Sequence, residues 1–573
     1  MLLISKCRRV LKDYWGLFLS FLIILYFLIP KANEPFIMDE TSFPEAAKGV
    51  SEKGFPEFYN GESRPNDLAI WHPPLYVYSL GLWIRLLGDS NYSIRGFGWL
   101  CTFATGFVIY YIVRELKDPS NSRASENLSA LFYISHYSIL QLAQVNDIDG
   151  TVLPLFIALA LLLFIRASKA NNRSDLAVTF SVGLAFGLAI SSKFTTSLLL
   201  IPLLCFVFYQ RGLRAWRLIA NSILATIIGV LFFLSWWVPI AIYFKMDWFF
   251  PVKFTFQSFT SKNQSDSILS LLTGFITFPP SVKLWLGLPT LLLSVLFLLL
   301  LIIERRNLKK WEVAILLFGF TSWGVFNSIG AVGFTFPRYW NIGIIALTIF
   351  MGVKYSQMTN YLRIDITFFQ WKFLFAITFL YLSYSIFLSE KAINDLGMMS
   401  DLLNHKFLVV YSLIVLLTVG TLLAKEFVLS AKNVVCALIT LTMILGIANN
   451  FAVNLSLQKT DFNTRYFFGE KGMKEISEWL SKNVRSDDVV ISAKDVGLNS
   501  GIRFYEDAIL YYTFTPESLN EFVEQSSIDY IVVRKKYDYS RLVFEDMINA
   551  STQDFSLVRG DFYDFEIWKK VTS

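Results

Sequence analysis

Long apolar runs separated by short basic segments are the feature that most constrains this chain. A helix that crosses a bilayer needs roughly 17–25 mostly apolar residues, because its backbone polar groups must bond within the helix in lipid. A further run at residues 75–87 is too short to cross and contains Arg85, so we expect it to be interfacial or re-entrant. The sequence predicts an all-α polytopic membrane protein with about thirteen transmembrane helices, near residues 14–30, 93–115, 127–145, 150–167, 176–192, 195–209, 217–243, 283–303, 311–330, 339–355, 371–388, 406–424 and 432–451.

Basic residues predict the orientation of these helices. If the N-terminus is cytoplasmic and residues 75–87 do not span, every basic cluster between spans faces the cytoplasm, as the positive-inside bias requires. Counting residues 75–87 as a span would place all of these clusters outside. We therefore expect a multi-pass protein of the plasma (inner) membrane. Its external segments would be residues 31–92, 147–149, 244–282, 331–338, 389–405 and the tail.

Composition changes near residue 460. Residues 1–460 hold 37 Lys and Arg against 25 Asp and Glu, whereas the remainder holds 14 against 20. We place the domain boundary here, with a transmembrane domain at 1–455 and a soluble extracytoplasmic domain at 456–573. The tail pattern predicts a small α/β domain, with a helix at 470–483, a second helix at 516–526, strands at 488–492, 508–513 and 529–533, and a hairpin at 555–571.

Charge and cysteine usage do not support nucleic-acid binding, a disulfide framework or a zinc site. The net charge of +6 comes from short clusters between apolar runs, which is typical of cytoplasmic loops and not of nucleic-acid binding. The four cysteines have no paired spacing, so they support neither a disulfide framework nor a zinc site.

Carboxylates and one histidine gather on the predicted outer face. Asp39 and Glu40 follow the first span, and His72 opens a Trp-His-Pro-Pro-Leu-Tyr segment before the short apolar run. Asp147 and Asp149 lie between two spans, where carboxylates are costly unless they are solvated, paired or metal-bound. A positioned carboxylate can act as a general base on a hydroxyl or an amine.

Two cations break the positive-inside pattern on the same face. Lys193 lies between two spans, and Arg338 precedes Tyr339 in a Phe-Pro-Arg-Tyr segment. Such cations either meet lipid headgroups or neutralise a phosphate in a bound substrate. Together with the carboxylates, they suggest transfer of a group from a lipid phosphate to an acceptor on the outer face.

The order of these motifs resembles the GT-C glycosyltransferases. The resemblance is greatest to the dolichyl-phosphate-mannose–protein mannosyltransferases (glycosyltransferase family 39) and the lipid A aminoarabinose transferases. It covers roughly residues 1–340 and is specific in the first 150. There is no WWDYG-like motif, which argues against an oligosaccharyltransferase, and Lys193 lacks the Gly-Pro that follows this lysine in the aminoarabinose transferases.

The resemblance implies a role for each site residue. Asp39 matches the catalytic acidic residue, with Glu40 beside it, and Asp149 resembles the second-loop acidic residue, for which Asp147 is the alternative. The residues expected to bind substrate are His72, Asp147, Lys193, Arg338, Tyr339 and Arg95. A divalent metal is left open, with Asp39, Asp149 and His72 as its candidate ligands.

The implied activity is that of an inverting glycosyltransferase. It would move a monosaccharide from a polyprenyl-phosphate donor to a protein, lipid or glycan acceptor on the outer face. The alternative is a multi-span transporter or flippase of a lipid-linked or amphipathic substrate. Transporters place polar residues in the middle of broken spans, whereas here they gather at one face, which favours the enzyme.

The orientation gives a direct test. Single cysteines at Asn263 and Ser500 should react with a membrane-impermeant thiol reagent in intact cells, while one at Asn307 should react only after permeabilisation. Replacing the four native cysteines removes the background. Labelling of position 307 in intact cells would show that the span count is wrong by one.

Overall fold

The computed structural model of this chain describes most of the predicted helical part and a sheet in the tail. The described residues are 2–34, 36, 39–56, 73, 75–117, 123–145, 148–169, 175–193, 216–243, 245, 247–249, 253, 282–303, 309–328, 341–361, 409, 412, 431–459, 472–485, 488–492, 508–510, 528–534, 555–562 and 565–571. The chain divides into two compact units. The first comprises residues 1–31, 71–76 and 95–460, and the second comprises 32–70, 77–94 and 461–573.

The fold is mostly helical, as predicted. Four described helices are long and apolar enough to cross a membrane, over Asp13–Lys31, Asn91–Leu116, Ile223–Tyr243 and Leu438–Leu455. The predicted spans at 195–209 and 371–388, and nearly all of 406–424, lie outside the described residues. The total of thirteen therefore stays a prediction. The helices are α1 Leu2–Leu28, α2 Asp39–Lys53, α3 Leu75–Leu87, α4 Asn91–Leu116, α5 Ala124–Ser135, α6 Tyr137–Gln144, α7 Val152–Lys169, α8 Asp175–Ser192, α9 Trp216–Tyr243, α10 Val282–Ile303, α11 Lys310–Ser328, α12 Asn341–Tyr361, α13 Ala431–Lys459 and α14 Met473–Asn483.

Residues 127–145 do not form one continuous helix, because α5 and α6 are separate helices that meet at His136. That this segment spans the membrane stays a prediction. His136 has an extended ψ of 124°. Its Nε2 lies 3.1 Å from the Leu286 carbonyl oxygen, which can only accept, so Nε2 carries the proton. Its Nδ1 accepts from Ser138 Oγ at 2.7 Å. Helical hydrogen bonding is interrupted at this break, and the imidazole makes polar contacts with α10 there.

Helix α10 is itself kinked beside His136. Gly287 has φ +71° and ψ 153°, a conformation that is essentially restricted to glycine, and Pro289 follows it. A Cβ on Gly287 would lie 3.2 Å from the ring of Tyr137, the first residue of α6. The two helix breaks therefore pack against each other.

Two lysines at or just beyond the ends of predicted spans are buried in ion pairs. Lys117 Nζ lies 2.8 Å from Glu126 Oε1, and Lys354 Nζ lies 2.8 Å from Glu312 Oε2. All four side chains are at most 4% exposed. Burial explains the pairing, because an isolated charge removed from water is strongly disfavoured.

The short helix α3 forms over residues 75–87, as the apolar run predicted. Helix α2 was not predicted, and it packs on α3 where Gly81 meets Val50 and Ala47. Lys48 Nζ lies 2.9 Å from Asp89 Oδ2, just beyond the end of α3. All of these contacts lie within the second compact unit.

The described tail contains helix α14 and a five-stranded sheet. The strands are β1 Val490–Ser492, β2 Ala508–Leu510, β3 Tyr530–Arg534, β4 Phe555–Phe562 and β5 Phe565–Lys570. Their order is β2-β1-β3-β5-β4, with β1 parallel to β2 and β3, and with β5 antiparallel to β3 and β4. Phe565 and Ile567 are fully buried, which gives β5 the alternation expected of a strand with one covered face. The second predicted helix, at 516–526, lies outside the described residues, and the division at 455/456 stays a prediction.

Candidate functional site

The central feature of the candidate site is an ion pair between Asp149 and Lys193. Asp149 lies in a short 3-10 turn, Ile148–Gly150, between α6 and α7. Lys193 directly follows α8, and its backbone N–H donates to the Ala189 carbonyl at 3.1 Å. The Lys193 ammonium donates to Asp149 Oδ2, and the two side chains are 5% and 2% exposed. The structure therefore brings together two residues that the sequence singled out separately.

The pair is held by two close contacts of the 148–150 turn. Gly150 lies so close to α6 that a Cβ there would sit 2.7 Å from Leu142 Cβ and 2.8 Å from its carbonyl oxygen. From the other side, Asn341 Nδ2 donates to the Asp149 carbonyl at 3.3 Å. Asn341 begins α12 and is 1% exposed. Asn341 was not predicted from the sequence, although its position three residues after Arg338 is a signal that could have identified it.

Arg95 and Gln144 meet at the carbonyl of Lys31. Arg95 Nη1 donates to this oxygen at 3.0 Å, and Gln144 Nε2 donates to it at 2.7 Å. Arg95 is fully buried. This contact holds the turn that follows α1. The expectation that Arg95 binds substrate stays a prediction. Gln144, five residues before Asp149, was not predicted.

The predicted acidic pair Asp39 and Glu40 begins helix α2, in the second compact unit. Negative charge is favourable in the first turn of a helix because unpaired backbone N–H groups and the helix dipole are positive there. Their side chains lie outside the described part of the structure. A catalytic role for either residue therefore stays a prediction.

Four predicted site residues lie outside the described residues: His72, Asp147, Arg338 and Tyr339. Within the described ranges, no three His, Cys, Asp or Glu side chains come together as a metal site. Since the His72 and Asp39 side chains are not among those described, the candidate metal set with Asp149 stays open.

Comparison with known proteins bears on this arrangement. Residues 71–243 match the family of dolichyl-phosphate-mannose-protein mannosyltransferases, a segment that contains Arg95, Asp149 and Lys193. Comparison with curated proteins gives no significant match.

Solved structures share the fold along nearly the whole chain. ArnT from Cupriavidus metallidurans bound to undecaprenyl phosphate is 15% identical, with 98% of each chain covered and a TM-score of 0.61. Its apo form is 13% identical with the same TM-score, covering 99% of this chain and 98% of that one. The archaeal oligosaccharyltransferase AglB from Archaeoglobus fulgidus is 12% identical, with 98% of this chain and 75% of that chain covered and a TM-score of 0.53.

Residues 71–243 thus match the mannosyltransferase family, and the fold is similar to that of ArnT and AglB. The predicted resemblance to GT-C glycosyltransferases of the protein mannosyltransferase and ArnT type is therefore confirmed.

The buried pair gives a prediction about stability. Asp149→Asn should destabilise the protein by about 3–5 kcal/mol, because it removes the carboxylate that pairs with the buried Lys193 ammonium. The double variant Asp149→Asn/Lys193→Met should recover most of this loss. The measurement is thermal or denaturant unfolding in detergent for the two single variants and the double variant.

An exposed ion pair provides the matched control. Arg166 Nε lies 3.0 Å from Glu115 Oε1, and these side chains are 49% and 32% exposed. Glu115→Gln should cost no more than about 1 kcal/mol, because water screens the charge that remains. Equal losses for Asp149→Asn and Glu115→Gln would contradict the view that Lys193 depends on Asp149.

Proposed function

We propose that this protein is an inverting glycosyltransferase that moves a monosaccharide from a polyprenyl-phosphate donor to an acceptor on the outer face of the membrane. The observation that carries the proposal is the buried Asp149–Lys193 pair inside the segment that matches the mannosyltransferases. The similar ArnT structure was solved with undecaprenyl phosphate, the kind of lipid phosphate that the proposed reaction would release. The acceptor is a protein, a lipid or a glycan.

Lys193 suits a phosphate that becomes more negative as the reaction proceeds. Asp149 fixes the position of its ammonium, and burial keeps water from weakening the attraction. A fixed cation of this kind stabilises charge that develops in the transition state and needs no reorganisation when the bond breaks. Before donor binds, the aspartate balances the lysine charge, so the phosphate takes over part of that role on binding.

Arg338 is the second proposed phosphate ligand. It precedes Asn341 by three positions, and Asn341 donates to the Asp149 carbonyl. Three residues reach at most about 10 Å even when fully extended. The start of α12 therefore supports a role for Arg338 and its neighbour Tyr339 beside the Asp149–Lys193 pair.

Asp39 is the proposed general base, by family resemblance. It takes the proton of the acceptor hydroxyl or amine while that atom bonds to the anomeric carbon of the sugar. The bond from this carbon to the phosphate oxygen breaks on the opposite side, which inverts the anomeric centre. The electron pair leaves with the lipid phosphate, whose added charge Lys193 and Arg338 neutralise. Glu40, His72, Asp147 and Asp149 would orient the acceptor, the sugar or a divalent metal.

A transporter or flippase is the second candidate function. The observation that favours it is the pair of helix breaks at His136 and Gly287, because transporters form substrate sites at interrupted helices. The two functions differ in product. A transferase releases free polyprenyl phosphate from a polyprenyl-phosphate sugar, whereas a transporter returns the donor intact.

The role of Asp39 can be tested by measuring this release. Asp39→Asn should lower turnover by about 10²–10⁴, because a positioned base contributes that much to rate. Donor binding should persist, since the base acts on the acceptor. Glu52→Gln, on the same helix, is the matched control and should keep normal turnover. If Asp39→Asn keeps half of the wild-type turnover, Asp39 is not the base.

The two cations can be tested by measuring donor and acceptor kinetics separately. Lys193→Ala and Arg338→Ala should each weaken donor use by about one to two decades, the usual effect of losing a hydrogen bond to a charged group. Arg338→Lys should also impair donor use, because an ammonium cannot replace a bidentate guanidinium contact. Acceptor KM should change little. Unchanged donor kinetics in all three variants would show that these cations only anchor the headgroup region.

A further inference from the structure

An aromatic groove lies between α1 and α4, away from the Asp149–Lys193 pair. It has a volume of about 410 Å³ and is lined chiefly by Tyr14, Phe18 and Phe21 of α1 and Phe103, Phe107 and Tyr111 of α4. Its surface is almost entirely apolar. Phe18 is 48% exposed and Phe107 is 41% exposed, so the groove is open along its length.

Ring contacts fix the shape of the groove. Phe21 meets Phe103 edge to face at 5.8 Å between centroids, and Phe107 meets Tyr111 in the same way at 4.9 Å. At one end, Tyr14 packs against Tyr110 at 5.3 Å. Such contacts hold the rings in place, so the groove is formed before any ligand enters.

The tyrosine end of the groove carries positive charge. The Arg114 guanidinium is exposed, and its Cζ lies 5.8 Å from the centroid of the Tyr111 ring. Among the described residues, no carboxylate pairs with Arg114, whereas the nearby Arg123 is paired with Asp13 at 2.6 Å. The groove is therefore apolar along its length and has a cation at one end. These two features are complementary to a lipid with an apolar chain and an anionic headgroup.

The length of the groove fits one leaflet. From Tyr14 to Phe21 a helix rises on the order of 10 Å, which is less than half of a hydrocarbon core about 30 Å thick. Arg114 belongs to a basic cluster that the sequence places on the cytoplasmic side. A lipid whose headgroup lies at Arg114 therefore comes from the leaflet opposite the proposed donor site.

We propose that this groove binds one acyl chain of an anionic phospholipid of the cytoplasmic leaflet, with the lipid phosphate at Arg114. The chain packs on the Phe rings, and the guanidinium supplies the preference for negative charge, since cytoplasmic-leaflet charge attracts nearby arginines. The site is independent of the glycosyl donor, because it needs neither Lys193 nor Asp149.

Native mass spectrometry of the full chain, released from mixed micelles, provides the test. Phosphatidylglycerol and phosphatidylcholine with the same acyl chains are supplied in equal amounts. The wild type should retain phosphatidylglycerol about fivefold better, the effect expected of one arginine. Arg114→Gln should remove this preference, while Phe18→Ala/Phe107→Ala should lower retention of both lipids.

Two control variants separate the groove from general surface effects. Arg85→Gln removes an exposed cation at the end of α3, and Phe180→Ala removes a ring of α8 that is 55% exposed. Both should retain the lipids as the wild type does, and melting temperatures will show that all variants are folded. Equal retention of the two lipids by the wild type, or an unchanged preference in Arg114→Gln, would overturn the proposal. So would displacement of phosphatidylglycerol by polyprenyl phosphate, or a dimer that buries this face.

Discussion

Charge removed from water needs a partner, and this constraint acts at both ends of the helical unit. At one end, the Asp149–Lys193 pair joins the turn after α6 to the end of α8. At the opposite end, Lys117–Glu126 joins α4 to α5, and Glu312–Lys354 joins α11 to α12. A misplaced helix would leave one of these charges buried alone, at a cost of several kcal/mol. Each pair therefore specifies which helix ends meet, while close packing of the apolar surfaces between them holds the helices together.

The pair at the candidate site has a second consequence, for chemistry. A cation balanced by a fixed carboxylate can be kept at low dielectric without a ligand present. In the proposed reaction, the donor phosphate would meet an ammonium already held in position, in surroundings where water competes weakly. Stability and the proposed catalysis therefore draw on the same two side chains, so a variant that alters one property must be checked for the other.

Much of the helical layout followed from the sequence, because apolar length reports directly on a helix in lipid. The bounds of α3 are an example. In the tail, the residue pattern likewise indicated the positions of strands β1 and β3. Helix α2 escaped prediction because it is polar and contains Pro44. The break at His136 escaped because the apolar run continues through it, and only contacts with α10 mark the change. The pairing of Asp149 with Lys193 joins residues 44 positions apart, which no local pattern reports.

The shared carbonyl of Lys31 has a mechanical consequence for the site. Arg95 and Gln144 donate to the same oxygen, so both of its lone pairs are occupied by side chains from different helices. This single oxygen atom therefore joins the turn after α1 to the start of α4 and the end of α6. Asp149 lies five residues after Gln144, in the turn that contacts Leu142. Tension on the segment that follows Lys31 would thus pass through these two hydrogen bonds to the carboxylate that orients Lys193.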